Sequence, residues 1–291
     1  MTAADLSSGK GHRDENFPVA SWLIKPHHRP LIMTFYRFAR AADDVADHET
    51  ASADQKLHVL DEMERTLLGE LDSDAEAREL REALQEHKLN PQHGLMLLEA
   101  FRRDVTKLRY ANWDELMDYC RYSAMPVGRF VLDVHGESRD TWPASDALCA
   151  ALQVINHLQD CAKDYGDLNR VYIPLEHLKR AGIGVAVLAE PKASPALLSI
   201  IRSLADQTRS LLAKSRPFAG QVRDRRLSAE VAVIQALAEN LNERLMRRDP
   251  LSERVHHSKV EVAALGLGAL TRSLLRRRSS PKPPIAAAGG S

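Results

Sequence analysis

Residues 148–164 read LCAALQVINHLQDCAKD and contain two overlapping helical patterns. Apolar residues recur at steps of three and four, at Leu148, Leu152, Ile155 and Leu158. This spacing is typical of a helix with one buried face. Polar residues follow similar steps along the same stretch, at Gln153, Asn156, Asp160 and Asp164. A polar stripe on an apolar helix needs partners because unpaired buried charges are costly, and a divalent cation would supply one.

Helical periodicity also dominates outside this stretch. Apolar residues repeat at three- and four-residue steps in residues 31–42, 57–67 and 234–245, whereas alternating strand patterns are short and isolated. Glycine and proline residues separate these blocks, as expected for loops between helices. The sequence therefore predicts an all-α protein with eight or more helices, two of which are expected to begin at Asp54 and Ser145 caps.

Composition limits the class of partner and the compartment. Forty basic residues balance forty acidic ones among 291 residues, so no net field favours nucleic acid. The three cysteines show no metal-type spacing, which favours reduced core thiols. Residues 1–13 are polar where a secretory leader would be apolar, and no apolar run reaches the roughly 18 residues of a membrane span. We expect a cytoplasmic protein that does not bind nucleic acid.

A second carboxylate pattern lies near the N-terminal end. Asp43 and Asp47 are four residues apart, hence on one helical face, and Arg40 lies on roughly the same side. Such a pair alone is most often a solvated helix face. Two carboxylate helices facing each other, however, could hold Mg²⁺, which prefers oxygen ligands and shares them with substrate phosphate. The two motifs together favour metal–diphosphate chemistry.

Other polar residues are given simpler interpretations. The heavily charged stretch 99–107 is interpreted as a solvated helix face, with contact of Arg103 or Lys107 to a phosphate as the alternative. His157 and His135 lack metal-ligand spacing and are interpreted as ordinary core or surface histidines, and His256 is interpreted as incidental. Asp44 points about 100° away from the Asp43–Asp47 face, so it is expected to act indirectly. Asp167 and Arg170 are candidates for a loop that closes the site.

Three segments in order resemble the squalene/phytoene synthase family. Residues 35–47 (FYRFARAADDVAD) resemble its first aspartate-rich motif, and residues 153–174 resemble its second. Residues 119–128 (YCRYSAMPVG) are similar to its central segment. The resemblance covers about residues 14–255. It implies the all-α class I isoprenoid synthase fold, a helical bundle around a central cavity, with Mg²⁺ as cofactor.

The resemblance also implies roles for individual residues. Magnesium ligands are expected at Asp43, Asp47, Asn156, Asp160 and Asp164. Substrate contacts are expected at Phe17, Tyr36, Arg40, Val127, Gly128, Gln153 and Asn156. Tyr119 corresponds to a tyrosine that the family places near the reacting carbons, and it is expected to be catalytic together with the four aspartates. An aromatic face can stabilise a carbocation through its quadrupole.

Two departures from the family pattern narrow the expected activity. Residues 13–21 lack the Ser/Lys-rich character of many relatives, and Gln159 replaces a frequent arginine. Both changes remove positive charge, which fits an enzyme that handles one diphosphate. Residues 11–21 and 126–128 most resemble a branch of the hopanoid pathway. That resemblance implies conversion of presqualene diphosphate and water to hydroxysqualene and diphosphate, coupled to a presqualene diphosphate synthase and a hydroxysqualene dehydroxylase.

The two ends differ from the centre. Residues 1–13 are expected to form a flexible N-terminus and residues 14–258 the catalytic domain. Residues 259–278 combine leucine and valine with four arginines. Such a basic amphipathic segment either lies on an anionic membrane or packs on the body with a solvated end, and both remain open. Residues 279–291 are expected to form a disordered tail.

Two other functions compete with this one. A condensing synthase of the same fold would join two prenyl diphosphates head to head, and turnover of farnesyl diphosphate alone would identify it. A non-catalytic helical scaffold for membrane enzymes would have eroded carboxylate motifs, whereas both motifs are intact here.

Overall fold

The computed structural model describes residues 23–279 together with Ala3 and Leu6. Within that range the chain forms thirteen α-helices, and the only strand-like pairing is an isolated bridge between Arg109 and Val171. The predicted all-α fold is confirmed. The helices are α1 Arg29–Asp47, α2 Ala53–Leu68, α3 Ala75–Glu86, α4 Gln92–Thr106, α5 Trp113–Ser123, α6 Met125–Val134, α7 Trp142–Gln159, α8 Cys161–Leu168, α9 Leu175–Arg180, α10 Pro195–Ser215, α11 Phe218–Gln221, α12 Arg225–Leu245 and α13 Lys259–Ser279.

Both predicted helix caps were wrong in position. Helix α2 begins after Ser52, whose hydroxyl accepts a hydrogen bond from the Gln55 amide while the Gln55 side chain accepts one from the Ser52 amide. This reciprocal pair satisfies two free amides, so Asp54 lies inside the first turn. Helix α7 begins earlier than predicted, with Pro143 in its first turn, where a missing N–H costs nothing. Ser145 is therefore a buried residue of the helix.

The buried side chains form two clusters. The first joins α1–α4 and includes Phe130 from α6, whose ring stacks on Phe35 at 3.8 Å between centroids. The second is built mainly from α5, α7, α10 and α12. Helix α1 packs in the first cluster and carries the first carboxylate motif. Helix α7 packs in the second cluster and carries the beginning of the second motif. The candidate site therefore lies where the two clusters meet.

Gly128 permits close packing between α6 and α7. A Cβ atom at this position would lie 2.5 Å from Ser145 Oγ and 2.6 Å from Cys149 Sγ. Both distances are shorter than non-bonded contacts allow. The glycine of the central motif thus has a packing role, and its predicted contact with substrate remains a prediction.

We expect Gly128→Ala to lower the free energy of unfolding by about 1–3 kcal/mol, because an added methyl group overpacks a filled interface. Thermal unfolding monitored by circular dichroism measures the change. Gly220→Ala is the matched control, since a Cβ at Gly220 meets no atom within 4 Å. Equal stability of the two variants would contradict the packing role.

The C-terminal helix packs along α12. Gly266 of α13 faces this helix, and a Cβ there would lie 3.6 Å from a methyl group of Val233. Among the described residues, no helix is long and apolar enough to cross a membrane. The expected tail beyond α13 lies outside the described residues.

Candidate active site

The first carboxylate motif occupies the C-terminal half of α1. Arg40 lies one turn before it and contacts two carboxylates, with 3.0 Å to Asp43 and 2.7 Å to Asp44. Asp44 is 4% exposed, so its ion pair with Arg40 holds the arginine from the buried side of the helix. Asp43 and Asp47 are each about one-third exposed. The two predicted ligands of α1 are therefore accessible, while Asp44 supports Arg40, as expected.

The surroundings of Asp43 make its negative charge costly. Its side chain is about one-third exposed, yet the protein groups packed around it still disfavour its charge, and this desolvation raises the pKa of Asp43 to about 8. Repulsion from Asp47 raises the pKa further, whereas Arg40 lowers it. One pair of like charges in a desolvated site is a common arrangement around a functional group. A cation placed beside both carboxylates would relieve the repulsion.

The sequence predicted one continuous helix for the second motif, whereas the structure divides it into two. Helix α7 ends at Gln159 and α8 starts at Cys161, with Asp160 at the junction (φ −102°, ψ 10°). Hydrogen bonding nevertheless runs through the junction, since the Asp160 amide donates to the Asn156 carbonyl at 2.9 Å and the Asp164 amide donates to the Asp160 carbonyl at 2.8 Å. The helical spacing of the polar stripe survives the local change in backbone angles.

Histidines hold the second motif in place. His256, from the segment before α13, has Nε2 at 3.5 Å from Asp160 Oδ1. His157 Nδ1 lies 3.8 Å from Asp164 Oδ2, and its Nε2 lies 3.1 Å from Gln153 Nε2. Burial raises the pKa of Asp160, which His256 opposes. His157 is a buried residue, as one of its two predicted interpretations has it. The contact of His256 with Asp160 could not be predicted, because pairing between distant segments leaves no spacing signal.

Arg170 connects the first motif to α4. Its guanidinium donates to Asp47 Oδ1 at 2.5 Å and to the Ala46 carbonyl at 3.1 Å. Its Nε donates to the main-chain carbonyl of Asp104 at 3.1 Å. Burial disfavours the charge of Arg170, but Asp104 and other neighbours outweigh it and raise its pKa. Arg170 is therefore a buried cation that fixes Asp47, and the closing of the site by Asp167 and Arg170 stays a prediction.

An aromatic cluster surrounds Asp104 and reaches the second motif. Oδ2 of Asp104 accepts a hydrogen bond from Tyr119 at 2.8 Å, and Oδ1 accepts one from Tyr172 at 2.9 Å. The ring of Tyr172 stacks on His157 with centroids 3.5 Å apart and on Tyr110 at 5.6 Å. These contacts run from Asp47 through Arg170, Asp104 and Tyr172 to His157 and Asp164. They bring both carboxylate motifs and Tyr119 into one site.

The remaining predicted residues are placed less centrally. Tyr36 is half-buried on α1, and Asn156 is half-buried on α7. Val127 is 42% exposed at the start of α6. Phe17 lies outside the described residues. The catalytic, metal-binding and substrate-binding roles of these residues stay predictions.

Asp104 and Tyr172 are functional candidates that sequence reasoning missed. Asp104 lies in the stretch 99–107, which was interpreted as a solvated face, yet it is 5% exposed. The neighbouring residue Arg103 does lie at the edge of α4, where it pairs with Glu99 of the same helix and Asp118 of α5. The buried position of Asp104 therefore could not be recognised among its charged neighbours. Tyr172 lies in the last part of the second motif, two positions after Arg170, and this position was the available signal.

The donor set fits magnesium bound jointly with a diphosphate. Among the side chains that the structure describes, no group of three or more His, Cys, Asp or Glu is arranged to hold one ion. Mg²⁺ needs only one or two protein carboxylates when water and phosphate oxygens complete its octahedron. Asp43 with Asp47, and Asp160 with Asp164, are two such pairs of oxygen donors. Desolvation and repulsion from Asp47 both disfavour the negative charge of Asp43, and this is the observation that favours a cation.

An all-helical protein with two carboxylate motifs and a tyrosine at one site defines a class of isoprenoid enzyme. A model of squalene/phytoene synthases matches residues 11–261, and the chain belongs to the squalene/phytoene synthase family. Hydroxysqualene synthase of Rhodopseudomonas palustris is 56% identical to it, over 98% of this chain and 97% of the relative. Hydroxysqualene synthase of Zymomonas mobilis is 57% identical, over 92% and 91%. The predicted family and enzyme class are confirmed.

Solved structures agree with this assignment of fold. Squalene synthase HpnC from Alicyclobacillus acidocaldarius superposes with a TM-score of 0.70 at 30% identity, covering 84% of this chain and 92% of that one. A dehydrosqualene synthase bound to a ligand gives a TM-score of 0.73 at 20% identity, covering 91% and 93%. At that lower identity the likeness supports the fold alone.

Proposed function

We propose that this chain is a hydroxysqualene synthase that converts presqualene diphosphate and water to hydroxysqualene and diphosphate. Three relatives of that name share 54–57% identity with nearly the whole chain, which carries the proposal. The meeting of the two carboxylate motifs through Arg170 and the aromatic cluster supports it. We assign the catalytic domain to residues 14–258, since α13 begins at Lys259.

In the proposed reaction, the C–O bond to diphosphate breaks with its electron pair on the diphosphate. The resulting cyclopropylcarbinyl cation rearranges beside the aromatic side chains, whose ring faces favour positive charge. Water then forms the new C–O bond and passes one proton to the diphosphate. Arg40 is expected to contact the diphosphate, and Tyr119 the reacting carbons.

We propose Asp43, Asp47, Asn156, Asp160 and Asp164 as the residues that would hold Mg²⁺. The bound metal supplies charge neutralisation for the departing diphosphate. The protein residues contribute orientation: Arg170 fixes Asp47, and His256 and His157 lie beside Asp160 and Asp164.

Incubation of the purified protein with presqualene diphosphate and Mg²⁺ tests the proposal. We expect hydroxysqualene as the main product, whether or not NADPH is present, because water rather than hydride captures the cation. Squalene formed only with NADPH would overturn it, and so would turnover of farnesyl diphosphate alone.

A head-to-head condensing synthase is the second candidate, and the solved relative called squalene synthase favours it. Gln159 argues against it. This residue is 6% exposed and neutral, and within the described chain its amide atoms make no hydrogen bond. A site for two diphosphates would gain more from the arginine that many relatives carry there.

We also propose that α13 contacts an anionic membrane surface through a face that α12 leaves uncovered. Val260 is 79% exposed and Leu267 67% exposed, and they lie two turns apart on the same side of the helix. The sequence continues into Arg272 and residues 276–278, all arginine. An apolar stripe followed by positive charge suits a surface of acidic lipid headgroups.

We expect Leu267→Glu to weaken binding to phosphatidylglycerol-containing vesicles about 10–100-fold, because it removes an apolar contact with the lipid worth ~1.5–3 kcal/mol and adds repulsion. Vesicle co-sedimentation at low salt provides the measurement. Leu68→Glu, at an exposed leucine of α2, is the control and should bind like the unsubstituted protein. Unchanged binding of Leu267→Glu would rule out this surface.

A further inference from the structure

Asp104 is the buried carboxylate at which the parts of the site converge. It lies near the end of α4, and its carboxylate has both oxygens occupied by hydroxyl donors, Tyr119 and Tyr172. Its main-chain carbonyl accepts from Arg170, which in turn holds Asp47. Asp104 therefore contacts Tyr119 directly, and it also contacts Arg170, the residue that holds Asp47 of the α1 motif.

These contacts fix the orientation of the Tyr119 hydroxyl. A tyrosine hydroxyl has one hydrogen to donate, and its oxygen can also accept. Asp104 takes the hydrogen of Tyr119, and the tyrosine is 3% exposed, so it cannot easily turn to another partner. The oxygen of Tyr119 can then only accept a hydrogen bond from a further group. Water can donate such a bond, whereas an unprotonated diphosphate oxygen cannot.

We propose that Asp104 is a positioning residue that holds Tyr119 as a hydrogen-bond acceptor and holds Arg170 against Asp47. In this role Tyr119 orients the water that captures the cation and does not protonate the leaving group. The inference rests on the proposed function, because it requires a hydration step. Asp104 itself touches no reacting atom, and the capturing water loses its proton to diphosphate.

Asp104→Asn is the sharpest test because it preserves the size of the side chain. An amide offers one acceptor oxygen and one donor nitrogen, so one of the two tyrosine hydroxyls must reverse its hydrogen bond. With presqualene diphosphate we expect kcat to fall about 10–100-fold, as for other residues that orient a ligand or catalytic group. We expect KM to change by less than about threefold, and a larger share of product to arise without capture of water.

A double-mutant cycle with Tyr119→Phe shows whether Asp104 acts through the tyrosine. If it does, the double variant should be no more than about threefold worse than the poorer single variant. Multiplicative losses would overturn the proposal. So would a folded Asp104→Asn variant whose kcat and product ratio match those of the unsubstituted protein.

Two controls separate positioning from stability. Asp74→Asn removes a carboxylate that is also buried, at 6% exposure, but caps α3 away from the site. It should lower the unfolding temperature and leave kcat unchanged. If Asp104→Asn does not fold, Tyr119→Phe should lose at least tenfold more activity than Tyr172→Phe, and equal losses would reject the proposal. The proposed function is tested separately, by identifying the product that the unsubstituted protein forms from presqualene diphosphate.

Discussion

Asp43→Asn should lower turnover of presqualene diphosphate about 1,000-fold while the helical circular dichroism stays the same. Neutralising the leaving diphosphate by a metal contributes several kcal/mol to the barrier, and each 1.36 kcal/mol changes the rate tenfold. The amide keeps the size of the carboxylate but loses the charge that attracts the cation. Asp160→Asn, in the second carboxylate motif, should have a similar effect. Release of diphosphate and appearance of hydroxysqualene measure both losses.

Binding can be followed without turnover. Mg²⁺ together with inorganic diphosphate should raise the unfolding temperature of the unsubstituted protein, because a ligand that binds only the folded state stabilises it. Asp43→Asn should show little of this rise. Asp206→Asn, on the exposed face of α10, should keep both the rise and the activity. Full activity in Asp43→Asn and Asp160→Asn would refute the assignment of the metal ligands.

Arg170→Met should lower the free energy of unfolding by about 3–5 kcal/mol, because it leaves the buried carboxylate of Asp104 without its compensating positive charge. The substitution leaves Asp47 without its cation and removes a positive charge beside Asp104. Burial raises the pKa of the Asp104 carboxyl, and Arg170 opposes that shift. Urea unfolding monitored by circular dichroism provides the measurement.

Arg216→Met is the matched control for Arg170→Met. Arg216 pairs with Glu239 on the surface, where both side chains are at least 40% exposed. Exposed pairs typically contribute about 0–1 kcal/mol. Arg170→Lys should fall between the two, since an ammonium group cannot reproduce the fork of a guanidinium. If Arg170→Met proves as stable as Arg216→Met, Arg170 does not hold the two parts of the site together.

Sequence reasoning predicted the elements of the fold that depend on local periodicity. The apolar steps of residues 148–158 do form α7, and the polar stripe of Asn156, Asp160 and Asp164 keeps its spacing. The junction at Asp160 was not predictable, because the helical hydrogen-bond pattern continues across it. The caps were misplaced because a serine–glutamine pair and a proline decided where α2 and α7 begin.

The contacts between distant segments were beyond the reach of sequence patterns. Asp104 pairs with Tyr172 across 68 positions, and His256 reaches Asp160 from the segment before α13. Neither pairing leaves a period or a fixed spacing. The carboxylate motifs were found because their members lie on single helices, whereas the residues that orient them come from elsewhere in the chain.

The link between Arg170 and Asp47 spans 123 positions and has a consequence for how the protein matures. Contacts so remote along the chain form late, since closing a long loop costs entropy before the contact repays it. A nascent polypeptide that has emerged only as far as α4 carries the first acidic pair but not the guanidinium that orients Asp47. In the proposed reaction, ionisation of the diphosphate substrate therefore requires both halves of the chain to be synthesised and docked, and we expect partly made chains to release no reactive cations.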